Sequence, residues 1–311
     1  MKRILSLLLC AALLLSFSAC GSSEEPASTD ATAAATRPDV TLAPTDAPTE
    51  APTEAPVQAA APDIIQLVNN DNMSVHIMNI ENNEHLGTQL RIQCENKTDR
   101  VLLFSWDMVS VCGYMYDPFW AEEVAAGKTV NSTVYLDTYQ LEKMGVTSVD
   151  EVSFKLRVVD SENWMDAPLL EEPFTIYPTG LNAETLVLPV RTPTEHQVVV
   201  ADNEHVRFVI ERTNEADATA YTIYVYMENK TDRNLMYSWD MVSVNDMMID
   251  PFWAASVAAG KKACSEIKFY RSELADNGIT DISDVEFTLL VSDYDDWEAD
   301  YLLKNTYTYN P

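Results

Sequence analysis

Apolar and polar residues alternate along most of this chain in short runs with a period of two, which predicts strands buried on one face rather than helices. Leu90, Ile92 and Cys94 share one face of such a run, and Ile223, Val225 and Met227 share one face of another. Asn96-Lys97-Thr98-Asp99 is turn chemistry, so the run from Val101 to Val111 is expected to fold back on its predecessor as a hairpin. Within that run Leu102, Phe104, Trp106 and Met108 lie on one parity and Val109 and Val111 on the other. A strand that changes parity in mid-course predicts a bulge between Met108 and Val109, or a crossing between sheets. Thr129 to Leu136, Lys262 to Phe269, Glu151 to Val159 and Asp284 to Ser292 read as further strands, and last strands end at Tyr177 and Tyr309. Helical spacing is confined to Thr138 to Met144 and Ser272 to Asn277, each followed by a glycine, Gly145 or Gly278, in the C-terminal capping place.

The pattern occurs twice. Glu95 to Lys128 returns as Glu228 to Lys261 at an offset of 133, and the match runs without a gap to Pro178 and Pro311. Upstream of Glu95 the copies align by pairing Asp71-Asn72 with Asp202-Asn203, an offset of 131, which predicts two extra residues in a loop of the second copy. About seven short strands with turn signals in each copy point to an all-β fold of two tandem Ig-like β-sandwich modules, each with one short helix. The first module is expected over residues 63–178, a polar link over 179–194, and the second module over 195–311.

What precedes the modules is an address. Lys2 and Arg3 open an apolar run, Ile4 to Phe17, shorter than the roughly 20 residues that a spanning helix needs. It ends in Ser18-Ala19-Cys20-Gly21, which resembles a bacterial lipobox and so implies a signal peptide over residues 1–19 and diacylglycerol on Cys20. Residues 20–62 are Ala, Thr, Pro, Ser and acids with almost no large apolar side chain; they predict a disordered, extended tether. The expected location is the outer face of the cell membrane, held by lipid.

A net charge of −29 and a pI near 4.2 exclude nucleic acid as a partner, because phosphates need a basic footprint. Of the five cysteines, Cys10 and Cys20 belong to the leader, and Cys94, Cys112 and Cys264 face non-cysteine residues in the other copy. Neither copy therefore depends on a bridge, although a Cys94 to Cys112 pair stays open.

Val109, Val111, Gly113, Tyr114, Met115, Asp117, Pro118, Val124 to Lys128, Leu141, Gly145, Val146, Asp160 and Trp164 carry a pattern that resembles uncharacterised tandem Ig-like modules of lipoproteins from Gram-positive anaerobic bacteria. The resemblance implies fold and location and brings no catalytic residue with it. The second copy departs from it at Asn245-Asp246-Met247, which stand where the first has Cys112-Gly113-Tyr114.

The six tryptophans form three matched pairs. Trp106 and Trp239, in mid-strand, are expected in the core. Trp120, Trp164, Trp253 and Trp297 adjoin loops, where they could either pack against the end of a sandwich or present a platform to a ligand. Asp293 to Asp300 is rich in oxygen ligands, but without the glycine and terminal glutamate of a calcium loop it reads as a solvated acidic segment. His76, His85, His196 and His205 have neither repeated counterparts nor metal-ligand spacing. The recurring acids Asp107, Asp117 and Asp160 suit turns better than a cleft. The expectation is a non-enzymatic binding or scaffolding module without a cofactor, contacting cell-wall polymer, host glycan or an envelope protein. A glycan-directed hydrolase and the solute-binding lipoprotein of a transporter are the alternatives.

Overall fold

A computed structural model describes residues 64–83 and 86–311. The signal segment, Cys20, the tether and His85 lie outside the described residues. The first half runs through β1 (Ile65–Asn69), β2 (Met73–Asn83), β3 (Gly87–Asn96), β4 (Leu102–Val111), β5 (Tyr114–Met115), β6 (Ala121–Val124), β7 (Thr129–Leu136), the helix α1 (Thr138–Lys143), β8 (Val152–Asp160) and β9 (Leu170–Ile176). The second half runs through β10 (Val198–Asp202), β11 (Val206–Asn214), β12 (Ala220–Asn229), β13 (Leu235–Val244), β14 (Met247–Met248), β15 (Ala254–Val257), β16 (Lys262–Tyr270), α2 (Arg271–Asp276), β17 (Val285–Asp293) and β18 (Leu303–Tyr309). Among the described residues the protein is thus mostly strand, with two short helices.

Each half builds two sheets. In the first, β1-β2-β3-β7 forms one, while β4 pairs with β5, β6 and β8, and β8 with β9. The second repeats both orders, as β10-β11-β12-β16 and β14-β13-β17-β18 with β15 on β13. The alternation seen in the sequence sets what is buried: Leu90, Ile92 and Cys94 from β3 meet Leu102, Phe104 and Trp106 from β4 in one core, and Ile223, Val225 and Met227 meet Leu235, Tyr237 and Trp239 in its counterpart. The helix ends match the sequence signals. Gly145 and Gly278 adopt φ +80° and +73°, and Val146 and Ile279 donate back to Leu141 and Leu274 in the hydrogen-bond pattern of a Schellman cap.

Two expectations are corrected. First, β3 and β4 are not a hairpin, since β3 pairs with β2 and β7 and the chain crosses to the other sheet after Asn96. Asn96 makes the crossing possible. Wholly buried, it donates from Nδ2 to the carbonyls of Arg100 and Val124, while its Oδ1 accepts from the backbone and hydroxyl of Thr98. Asn229 makes the same bonds to Arg233, Val257 and Thr231. A turn-forming asparagine looks alike in a hairpin and in an arch. Second, every element of the second half starts 133 residues after its counterpart, upstream of Glu95 as well as downstream, so no two-residue insertion exists. The turn is fixed by Asn70 and Asn203, whose Oδ1 atoms accept from the backbone two and three residues on. Three asparagines in Asn69-Asn70-Asp71-Asn72 make the alignment by eye ambiguous.

The halves are continuous. β5 pairs in parallel with the start of β16, Tyr114 opposite Lys262, which joins strands of both halves into one nine-stranded sheet of order β10-β11-β12-β16-β5-β4-β8-β9 with β6 beside β4. The described residues all fall in one compact unit.

Candidate functional site

The parity change in β4 is a bulge. Its pairing with β8 shifts between Asp107 and Ser110, and Met108 takes φ +49°, as does Met241 at +52° in β13. Asp107 and Asp240 hold the kink by accepting from the backbone N–H of the next residue at 2.8 and 2.9 Å. Beyond it Val109 and Val242 turn into the core, leaving Met108 half-buried and Met241 exposed.

A second kink lies close by, because Tyr116 and Ile249 donate to the carbonyls of Val109 and Val242. Asp117 and Asp250 accept from the N–H of Phe119 and Phe252 at 2.8 Å, and both phenylalanines sit in the left-handed region, at φ +48° and +47°. For a bulky side chain this conformation costs about 1–3 kcal/mol. The consequence is a reversal of direction: Phe119 and Phe252 are 87% and 82% exposed, whereas the following Trp120 and Trp253 plunge inward. Their indole N–H groups donate to Ser132 and Ser265 at 3.0 Å, and their rings meet Trp106 and Trp239 edge-on at 5.6 and 5.9 Å.

Trp120 and Trp253 are therefore corrected from candidate contact residues to core residues, since a ring with its polar edge satisfied inside has nothing to offer a ligand. Trp164 and Trp297 remain on the surface, 49% and 74% exposed. Trp106 and Trp239 are core, as expected, stacked on Phe154 and Phe287 at 3.7 and 3.8 Å. Phe119 and Phe252 were missed by sequence reasoning. Their signal was the repeated Asp-Pro-Phe-Trp, in which two adjacent aromatics after a turn cannot both face the core.

The recurring acids have structural partners. Arg100 binds Asp160 at 3.2 Å and Arg233 binds Asp293 at 3.1 Å. Desolvation works to raise the Asp160 pKa, but hydrogen bonds from Asn163, Arg100 and the Glu162 backbone outweigh it and hold the carboxyl below its usual range. In the acidic loop Asp293 accepts from the backbone of Asp295 and Asp296, and Asn234 donates to Asp295. Among the described residues no group of three or more His, Cys, Asp or Glu side chains is placed to hold a metal ion. Cys94, Cys112 and Cys264 are free thiols. Desolvation, with Glu122 nearby, pushes the Cys94 thiol up to about 12, which makes it inert at neutral pH.

The junction between the halves is the other built feature. Lys262 donates its backbone N–H to the Gly113 carbonyl at 2.9 Å and sets its ammonium 5.5 Å from the centre of the Tyr114 ring. Lys261 forms a 2.9 Å ion pair with the buried Glu151, and the Ala258 N–H points at the Met115 sulfur at 3.4 Å. The link joins in: Arg191 pairs with Glu211 at 2.8 Å and covers the Tyr226 ring, and Leu188 lies over Gly113. Beside this seam is an open cleft of about 250 Å³ whose lining includes Asp107, Met108, Asp117, Ser256, Cys264 and Ser265. No family model matches the chain, and no curated protein matches it.

Proposed function

We propose that this protein is a membrane-anchored extracellular lipoprotein whose two Ig-like β-sandwich modules act as a non-catalytic binding or scaffolding unit at the cell surface. The observation that carries the reading is the paired display of Phe119 and Phe252, each held outward on left-handed backbone in both halves. An exposed phenylalanine forgoes about 1.5–3 kcal/mol of burial, and its backbone adds strain, so a fold that accepts both costs twice is one in which the ring is used elsewhere. Trp164 and Trp297 are further exposed aromatic side chains, on the loops that follow β8 and β17. Lipid on Cys20 supplies the anchor, in keeping with the lipobox-like leader and with the finding that no helix among the described residues is long and apolar enough to cross a membrane. The partner is cell-wall polymer, host glycan or an envelope protein.

The test is cosedimentation of the secreted Cys20→Ser chain with insoluble cell wall and with immobilised glycans. Binding is expected to fall at least tenfold in the Phe119→Ala, Phe252→Ala double variant. Equal retention of both proteins would overturn the reading. In cells, Cys20→Ser is expected to move the protein from membrane to medium, and retention in the membrane fraction would remove the anchor. A glycan-directed hydrolase draws on one observation, that Asp107 and Asp117 line the same cleft. Release of reducing ends from wall glycan, lost on Asp117→Asn, would establish it in place of the binding role.

A further inference from the structure

The seam between the halves shows what the hairpin formed by β4 and β5 does when it is covered, and the second half carries the same hairpin uncovered. In the first half Gly113 and Tyr114 are buried and Met115 is half-buried, because the start of β16 lies alongside. Their counterparts Asp246, Met247 and Met248 are all exposed, and among the described residues no strand lies on the outer side of β14, which ends its sheet. Met241 and Phe252 on the same hairpin are exposed as well, so four large apolar side chains surround an open strand edge.

The charge around this edge is one-signed. Asp240, Asp246, Asp250 and Asp284 flank it, and none of them has an ion-pair partner among the described residues. Asp284 occupies the place of Glu151, which in the first half receives Lys261. We propose that the β14 edge is a docking site for an extended, lysine-bearing strand of another protein, added in parallel as β16 is added to β5 and bringing a cation to Asp284. This inference rests on the reading of the protein as a binding module and names one class of its partners.

A second copy of the chain does not fit. The face of the first half equivalent to β16 carries Glu122 and Glu123 where the second has Ala255 and Ser256, and His76 and Gln93 where it has Val209 and Tyr226. Docking it on β14 would set two glutamates against Asp240 and Asp250 and replace apolar contact by polar side chains. The first half thus ends the row at its own side, and the open edge at the other side calls for different chemistry.

The probe is a synthetic peptide of residues 258–267 with Cys264→Ser, the segment that fills the equivalent edge within this chain. Added to the full chain carrying methyl-labelled methionine, it is expected to shift the Met241, Met247 and Met248 signals saturably. Asp284→Lys, and separately Asp246→Lys on the exposed turn, are each expected to weaken binding about tenfold, and a peptide with Lys261→Glu is expected not to bind. No shift at millimolar peptide, or equal shifts in the two Asp→Lys variants, would overturn the proposal. So would sedimentation showing that the chain itself forms concentration-dependent dimers that hide these methionines. Wall or glycan binding by the same variants separates this outcome from failure of the wider function, because Asp284 and Asp246 lie outside the Phe119 and Phe252 turns.

Discussion

The tips of the two equivalent hairpins are built alike on their inner side and differently on their outer side. Beneath the first tip the Cys112 sulfur donates to the Ser148 carbonyl and accepts from the Asp150 N–H. Beneath the second, Asn245 donates to the Asp281 carbonyl and accepts from the Ser283 N–H, at positions 133 residues on in each case. A thiol and a carboxamide do the same work there, and both residues sit at positive φ, +48° and +49°. On the outer side the first tip presents Gly113 and Tyr114 to the other half, and the second presents Asp246 and Met247 to solvent. The fold constrains the bond under the tip, and the neighbour constrains the residues above it.

The largest effects should fall on what the halves share. Asn96→Ala and Asn229→Ala each strip partners from buried carbonyls and an N–H, so each should cost about 3 kcal/mol, read from urea midpoints. A difference of more than about 1 kcal/mol between the two would break the equivalence of the crossings. Next comes the seam. Lys261→Met leaves the Glu151 carboxylate buried and uncompensated and should cost about 2 kcal/mol, discounted for the partial exposure of the lysine. Lys128→Met, at the matching exposed site, should stay within about 0.5 kcal/mol, and equal losses would mean that the seam contributes nothing. Smaller and of opposite sign, Met241→Gly should stabilise by roughly 1 kcal/mol through relief of its left-handed backbone. Met108→Gly should gain less, because its side chain is half-buried against the seam. A loss in both would show that the bulge is held by side-chain packing.

The smallest effect separates the halves by acid. Lys97 reaches Asn69 at 2.8 Å, whereas Lys230 reaches Asp202 at 2.6 Å, and that bond with the lysine charge lowers the Asp202 pKa. A carboxylate whose folded pKa is depressed adds stability above its ordinary value near 3.8, and that stability is lost as pH falls through the lower folded value. Asp202→Asn should flatten this part of the acid-unfolding curve, and Asn69→Asp should add to it. An unchanged curve in both would remove the distinction.

Local rules made much of this legible beforehand. The change of parity at Met108 marked the bulge because a strand has only two faces, and the glycines after Leu141 and Leu274 marked the helix ends because they take positive φ. Where one residue serves two geometries the reading failed. Asn96 caps an arch with the same bonds to Thr98 that would cap a hairpin, and Trp120 turns inward only because Phe119 ahead of it takes a conformation that phenylalanine rarely adopts. The seam could not be read at all, since pairing Tyr114 with Lys262 depends on how two distant segments meet.

The near-identity of the two halves also bears on how the chain reaches its native state. β4 and β13 differ only in Leu103 against Met236 and Phe104 against Tyr237, and both are central strands with the same neighbours in their own sheets. Either could be taken up by the wrong half, and little in its side chains would reject it. Synthesis separates them in time: at about 5–20 residues per second, 133 residues give the first half a lead of roughly 7 to 27 s, long enough to close its core before its double emerges. Dilution of the whole chain from denaturant removes that lead, so refolding should show a slow phase from strand exchange that a chain interrupted between the halves would lack.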